Sequence, residues 1–227
     1  MIYREIHTFF WIEWERDWRN KTLLYANAFF PLLAVTIVSN TFSKLSYQSW
    51  NALFWLIFLF ASITIAAKSF LSDSPQRKLY MYSLGSGVSI WIAKWLYHML
   101  LLCVVMLLNF LFLTFMEGSN PIYMGVNPFF NIALFSFSGI IGASYFSLIL
   151  SLVSAMITHT NKSAGLLSAI AIPLLIPMLI MLSDLSLKSM LGSMSFFANI
   201  KTIGVVVGMH TLLFIIGLIL FPALWKE

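Results

Sequence analysis

Charged residues are scarce in this sequence. They make up 9% of its 227 residues, and apolar residues make up 60%. Soluble globular domains carry about 25% charged residues. A chain of this composition cannot cover itself with a wetted surface, so we predict that it is dissolved in lipid. The same shortage excludes a sizeable soluble domain, so any ATPase, kinase or extracellular binding module must come from another chain.

Several motifs for chemistry are also missing. The sequence contains no G-x-x-x-x-G-K-[ST] phosphate loop, no H-E-x-x-H zinc pair and no C-x-x-C-H motif for haem attachment. Its single cysteine, Cys103, excludes an intrachain disulfide. No acidic residue falls in the middle of an apolar segment, which weighs against proton-coupled transport and intramembrane hydrolysis. We therefore predict no catalytic residues, no metal site and no enzyme activity for this chain.

Apolar segments long enough to cross a bilayer as helices occur six times. A span needs about 20 apolar residues, and the joins between the segments are short. The sequence therefore predicts an all-α integral membrane protein with a single transmembrane domain over 1–227. The six spans are predicted at about 23–43, 50–71, 89–115, 129–155, 164–183 and 202–224.

Basic residues are unevenly distributed around these segments. Eight lie at the N-terminal end, in the second and fourth loops and in the tail, whereas three lie on the opposite side. The positive-inside rule then predicts that both termini are cytoplasmic. The net charge of +5 indicates loops that face anionic membrane lipids, and we expect no nucleic-acid partner. The first group is Arg4, Arg16, Arg19, Lys21, Arg77, Lys78, Lys162 and Lys226; the second is Lys44, Lys188 and Lys201.

The segment 3–20 has the pattern of an amphipathic helix that precedes the first span. Its aromatic and aliphatic residues share one arc at 100° per residue, and most of its charges share the opposite arc. We predict a helix lying in the membrane interface, with docking on another protein as the alternative. The apolar arc holds Tyr3, Ile6, Phe10, Trp11, Trp14 and Trp18; the polar arc holds Arg4, Glu5, Thr8, Glu15, Arg16 and Arg19; Ile12 and Asp17 fit neither.

Three features inside the predicted spans suggest local structure. Lys94 lies near the cytoplasmic end of the third span, and we expect it to extend to the headgroups. Pro173 and Pro177 remove two backbone donors from the fifth span and should kink or interrupt it, either as a functional hinge or as a harmless bend. Small residues four apart occur in the fourth span, at 138–142 and 139–143, and in the sixth, at 204–208, and they allow close helix contact.

Four side chains in the third and sixth spans could bind a ligand within the bilayer. His98 lies close to Cys103 and Met106, and His210 lies beside Met209. Histidine and methionine can ligate haem iron, so this group is a possible haem path. The alternative is that each histidine forms a hydrogen bond to a neighbouring helix.

The layout and two motifs resemble haem exporter protein B (CcmB), the membrane subunit of the cytochrome c maturation ABC complex. One motif is Leu166-Leu167-Ser168-(x)4-Pro173-Leu174-(x)2-Pro177-(x)-Leu179-Ile180, in the fifth span. The other runs from Tyr82-Ser83-Leu84-Gly85 to Ile92-Ala93-Lys94, where the second loop enters the third span. The layout covers most of the chain, whereas the motifs cover about 40 residues.

The resemblance implies a type-2 ABC exporter permease in the bacterial inner membrane. A second copy of the chain would be one partner, with the first and fifth spans at the contact. The others would be an ABC ATPase subunit that binds ATP and Mg²⁺, a haem-handling membrane subunit and a periplasmic haem chaperone. No cofactor would be bound by this chain alone, and haem would be cargo. The function expected is coupling of ATP hydrolysis to haem export, or to release of the haem-loaded chaperone.

The second loop is the predicted contact with the ATPase. Pro75 suits the first position of a short helix, which Asp73 or Ser74 would cap. Apolar anchors beside two cations could then seat this helix in a groove of the partner. Alternatively, the loop lies on the bilayer and the contact is made by the 3–20 helix. The coupling residues are predicted to be Asp73, Pro75, Arg77, Lys78, Leu79, Tyr80 and Tyr82.

Two other functions remain open for this sequence. One is a type-2 permease for a different cargo, such as a lipid-linked glycan or a drug. The other is an assembly scaffold that transports nothing.

Overall fold

Seven α-helices make up nearly all of the computed structural model in the part of the chain that it describes. The described residues are 2–19, 21–41, 45–71, 84–116, 132–157, 164–191 and 199–226. In chain order the helices are α1 (Ile2–Arg19), α2 (Lys21–Thr41), α3 (Tyr47–Leu71), α4 (Gly87–Met116), α5 (Ile132–Ile157), α6 (Ala164–Leu191) and α7 (Ile200–Lys226).

Five of these helices are long and apolar enough to cross a membrane, so the chain is a multi-pass membrane protein by length and composition. Their apolar stretches, in α3 to α7, are Tyr47–Ala67, Gly87–Phe115, Ala133–Ile157, Gly165–Leu191 and Ile200–Phe221. They confirm the second to sixth predicted spans. The predicted first span corresponds to α2, whose described apolar stretch is the shorter Phe29–Val38. A count of six spans therefore stays a prediction.

Serine caps determine where two of the helices begin. The Ser46 hydroxyl accepts a hydrogen bond from the Ser49 amide (3.2 Å) just before α3. Ser86 does the same for the Ser89 amide (3.3 Å) just before α4. A hydroxyl in this position satisfies one of the amides that the first helical turn leaves without a partner.

The fifth predicted span ends eight residues too early. It was expected to end at residue 183, whereas α6 continues to Leu191. Asp184 and Lys188 suggested a loop, but they form an ion pair of 2.5 Å one turn apart on the outer side of the helix. Leu185 and Met190 are buried on its inner side. Pro173 and Pro177 lie within this one helix and do not interrupt it.

Helix α5 is the centre of the bundle and contacts α3, α4, α6 and α7. Of its apolar stretch, 78% is buried, against 17% for α7. Gly139 meets Met106 of α4, and Gly142 meets Trp55 of α3. Close packing at the small residues of the fourth span is therefore confirmed. In α7, by contrast, Gly204 and Gly208 face open space among the described residues.

A neutral polar group joins α3 to α6 at the end of the bundle where α3 begins. The Asn51 amide donates to the main-chain oxygen of Ser183 (2.9 Å). The Ser186 hydroxyl donates to Asn51 Oδ1 (2.6 Å) and accepts from the Trp55 indole (2.8 Å). All these partners are uncharged and hydrogen-bonded, so we assign the group a packing role.

Candidate functional site: a buried polar cluster between α1 and α4

The most unusual contact in the protein lies between α1 and α4. Residues one turn apart on α1 meet successive turns of α4, and both series rise together, so the two helices run parallel. Spacing by four residues places these α1 side chains on one side of the helix. The contacts are Glu5 with Ser86, Phe9 with Ile90 and Ala93, Glu13 with Lys94, and Asp17 with Tyr97.

The side of α1 that is buried differs from the predicted one. The apolar arc is divided, because Phe10 and Trp14 pack on the bundle whereas Trp11 and Trp18 are 53% and 63% exposed. The buried residues are Phe9, Glu13 and Asp17. The helix therefore has a third side in addition to the two predicted arcs, and this side packs against α4. A helix that runs parallel to α4, which is long and apolar enough to cross a membrane, does not fit the predicted position in the plane of the interface.

Five side chains form what we call the polar cluster: Glu13, Arg16, Asp17, Lys94 and Tyr97. Arg16 Nη2 lies 2.8 Å from Glu13 Oε2, and Arg16 Nε donates to Asp17 Oδ1 at 2.7 Å. Lys94 Nζ lies 3.7 Å from Glu13 Oε1. The Tyr97 hydroxyl donates to Asp17 Oδ2 at 2.8 Å. Two helices that are distant in sequence are thus joined through two carboxylates and two cations.

Burial makes this arrangement unusual. Glu13 is 0% exposed, Asp17 2% and Lys94 5%. A charge removed from water is tolerated only when it is paired and hydrogen-bonded. The two negative and two positive charges balance, so the cluster is neutral as a whole. Ionisable groups buried among apolar helices are rare and are functional candidates by default.

Lys94 corrects the prediction made for it. It was expected to extend to the headgroups, but its side chain turns to Glu13 and is buried. The expectation failed because Glu13 supplies a counter-charge at the same level of α4. The sequence contains no acidic residue in the middle of an apolar segment. Two carboxylates, those of Glu13 and Asp17, are nevertheless buried against the third predicted span, because α1 brings them there.

The contact continues to the first turn of α4 through Glu5. Its carboxylate accepts from the Ser86 amide and hydroxyl, both at 3.3 Å. Hydrogen bonds from the Ser89 side chain and the Ser86 amide lower the pKa of Glu5. A carboxylate is also favoured at the positive N-terminal end of a helix.

The four candidates for a haem path lie on two helices, α4 and α7. His98 is buried, and its Nδ1 lies 2.7 Å from the main-chain oxygen of Lys94. Met106 packs against Gly139, one helix turn beyond the half-buried Cys103. His210 is on α7, where its Nε2 lies 3.3 Å from the Ser144 hydroxyl. The contact of His210 is the bond to a neighbouring helix that the alternative expects, whereas the contact of His98 with Lys94 is within α4. A haem path stays a prediction.

Metal binding was not expected, and the described residues hold no group of three or more His, Cys, Asp or Glu side chains placed for a metal. The predicted coupling residues Asp73, Pro75, Arg77, Lys78, Leu79, Tyr80 and Tyr82 lie outside the described residues. The hinge candidates Pro173 and Pro177 are both on the exposed side of α6.

The chain matches no family model, and no curated protein or solved structure is significantly similar to it. The resemblance to haem exporter protein B therefore rests on the layout and motifs of the sequence alone.

Sequence reasoning predicted no member of the polar cluster as a site residue. Two signals were available. Asp17 did not fit the arc in which it fell, and Lys94 was a charge within an apolar segment. Together they could have suggested a contact between 3–20 and the third span. Tyr97 offered no signal of this kind, because a tyrosine in an apolar segment is ordinary.

Proposed function

We propose that this chain is the permease-like membrane subunit of an ABC transporter complex in the bacterial inner membrane. It would have six spans preceded by α1, both termini would be cytoplasmic, and ATP with Mg²⁺ would be bound by a separate ATPase subunit. The observation that supports this proposal is the attachment of α1 to α4 by buried charges. Energy received by contact must enter the spans through a firm connection, and this attachment supplies one.

The position of α1 supports the same proposal. Its first turn contacts Ser86, which lies four residues after Tyr82, the last of the predicted coupling residues. Arg4, Glu15 and Arg19 remain exposed on the outer side of α1. A conformational change in the partner could therefore move α1 and the loop together, and the polar cluster would transmit this movement to α4.

A dimer of this chain, with α2 and α6 at the contact, is proposed from the resemblance. Phe29, Leu33 and Ile37 point outward from α2, and Leu174 and Ile180 point outward from α6. Helix α3 contacts both of these helices. The two faces therefore flank one helix, as expected if the first and fifth predicted spans meet a second copy across a two-fold axis.

The cargo is proposed from the resemblance. It is haem, exported directly or made available by release of a loaded chaperone during cytochrome c maturation. A haem-handling membrane subunit and a periplasmic haem chaperone would complete the complex. Export of another cargo and a scaffold role predict different copurifying proteins, and this makes them distinguishable.

Purification of the native complex through a tag on this chain tests the proposal. We expect an ATPase subunit, a second copy of the chain and haem-binding partners, with ATP hydrolysis that depends on the complex. An ATPase without haem partners would favour another cargo, and intact function with an inactive ATPase would favour a scaffold. Absence of an ATPase from a complex that is otherwise stable and functional would contradict the proposal.

Variants of the predicted coupling residues locate the contact. Leu79→Asp with Tyr80→Asp should abolish ATPase copurification while membrane insertion is retained. If the ATPase still copurifies and is active, α1 makes the contact instead.

Cysteine crosslinking tests the dimer. In a Cys103→Ser background, cysteines introduced at Leu32 and Leu174 should crosslink two copies. A cysteine at Val205, exposed on α7, is the control and should not. Crosslinking at Val205 alone would place the contact on α7.

A further inference from the structure

Apolar packing is one of two contributions that determine how α1 lies along α4. The apolar part of their contact consists of Phe9 on Ile90 and Ala93, with Ile6, Phe10 and Ile12 around it, and of the rings of Phe10 and Trp14 against Tyr97. Hydrophobic attraction is non-directional and is roughly proportional to the area buried. A shift of one turn along α4 would place Phe9 beside Lys94 and Tyr97 or beside Ser86 and Ser89, so the apolar packing itself favours the observed register.

The charges are the second contribution. A shift of α1 by one turn towards the end of α4 would place Glu13 beside His98 and Asp17 beside Leu101. A shift the other way would place Glu13 beside Ile90. Either move separates Glu13 from Lys94 and Asp17 from Tyr97, leaving buried charges without their partners. Removing one partner of a buried ion pair is strongly unfavourable, because the other charge is left uncompensated. Fixing the register between two helices is the best-attested use of such pairs.

We infer that the polar cluster, together with the apolar packing, sets the register of α1 on α4 and joins α1 to the first half of α4 as one moving unit. Lys94 and Tyr97 are positioning residues in this arrangement, because they act by holding α1. The consequence for transport rests on the proposed function. A displacement of α1 by the ATPase would pass through the cluster into α4, and without the cluster ATP hydrolysis would continue while transport stopped.

Disulfide trapping measures the register directly. In a Cys103→Ser background, the pair Glu5→Cys with Ser86→Cys reports the native register. The pair Glu5→Cys with Ile90→Cys reports a slip by one turn. The test variant is Glu13→Gln with Lys94→Gln, which removes both charges of one pair and keeps hydrogen-bonding side chains of similar size. The matched control neutralises the exposed pair of α6, as Asp184→Asn with Lys188→Gln.

We expect the parent and the control to crosslink mainly in the native register. In the test variant the yield of the native pair should fall several-fold and that of the slipped pair should rise. Unchanged yields for both pairs would overturn the inference. If the test variant does not accumulate, Tyr97→Phe is read in the same way, because it removes only one hydroxyl from the cluster.

The functional arm uses the whole complex. The test variant should hydrolyse ATP without supporting transport, and oxidation of the native cysteine pair should restore transport by replacing the cluster with a covalent link. Failure of oxidation to restore transport in a complex with normal ATP hydrolysis would contradict the coupled movement. If no ATPase copurifies, the proposed function fails, whereas the crosslinking result still decides the register.

Discussion

The hydroxyl of Tyr97 donates a 2.8 Å hydrogen bond to the carboxylate of Asp17, 80 positions earlier in the chain. Both side chains are buried, and the other oxygen of Asp17 accepts from Arg16. The rings of Phe10 and Trp14 meet the tyrosine ring edge-on, with centroids 5.9 and 6.5 Å away. This single bond connects the last turn of α1 to the middle of the bundle.

Replacing Tyr97 by phenylalanine should therefore lower the free energy of unfolding more than the same change at another buried tyrosine. The change keeps the ring contacts and removes one hydrogen bond to a charged group, so we expect a loss of about 1.5–3 kcal/mol in the free energy of unfolding. Thermal unfolding in detergent measures this loss. Tyr145→Phe is the control, because Tyr145 is a buried tyrosine of α5 that lies away from the cluster. An equal effect of the two changes would contradict a special role for Tyr97.

The lowered pKa of Glu5 predicts that the contact between α1 and α4 depends on pH. Its pKa is lowered by hydrogen bonds that exist only in the folded protein. Its contribution to stability is therefore complete above the ordinary glutamate pKa and is lost as the pH falls through the lowered pKa. Hydrogen exchange at the first turns of α1 should accelerate in this acidic range. Glu5→Gln should abolish the pH dependence, and Glu15→Gln, at an exposed site of the same helix, should leave it intact.

The glycines of α5 and α7 predict opposite responses to alanine. A Cβ at Gly142 would lie 2.9 Å from the Trp55 ring, and one at Gly217 would overlap the Trp91 ring. Both rings are buried, and overpacking costs about 1–3 kcal/mol. Gly208→Ala is the matched control, since nothing lies within 4 Å of its Cβ position among the described residues. Equal melting temperatures for Gly142→Ala and Gly208→Ala would show that Trp55 can move aside.

Replacement of the two prolines of α6 should have different effects on stability and on activity. Replacing Pro173 and Pro177 by alanine restores two backbone donors at exposed positions and removes no buried contact. Proline in a helix interior is about 3 kcal/mol less favourable than alanine, so thermal stability should rise. If the segment is a hinge and the chain has the proposed function, cytochrome c maturation should fall although insertion and expression are normal. Unchanged maturation would identify the prolines as a harmless bend.

Sequence reasoning was most successful where the signal is local. Five predicted spans coincide with long apolar helices, because hydropathy over about 20 residues is a property of each segment by itself. The end of the fifth span was misplaced for a local reason as well. Asp184 and Lys188 look like loop residues in a linear reading, whereas one helical turn brings them into a pair.

The candidate site could not be predicted in the same way. The 100° periodicity of segment 3–20 correctly suggested a helix, but it assumed that polar residues face water and aromatic residues face the bundle or the lipid. Trp11 and Trp18 are exposed, and Glu13 and Asp17 are buried. Periodicity records the arrangement around one helix and contains no information about which side another helix will cover.

The sequence by itself determined that this protein is helical and dissolved in lipid, because too few charged residues are present to cover a soluble surface. Tertiary structure alone decided which charges are buried. The free energy of a carboxylate away from water depends on whether a cation and a hydroxyl stand within hydrogen-bonding distance of it. For Glu13 and Asp17 those groups include Lys94 and Tyr97 of a distant helix, and only the parallel packing of α1 on α4 brings them together.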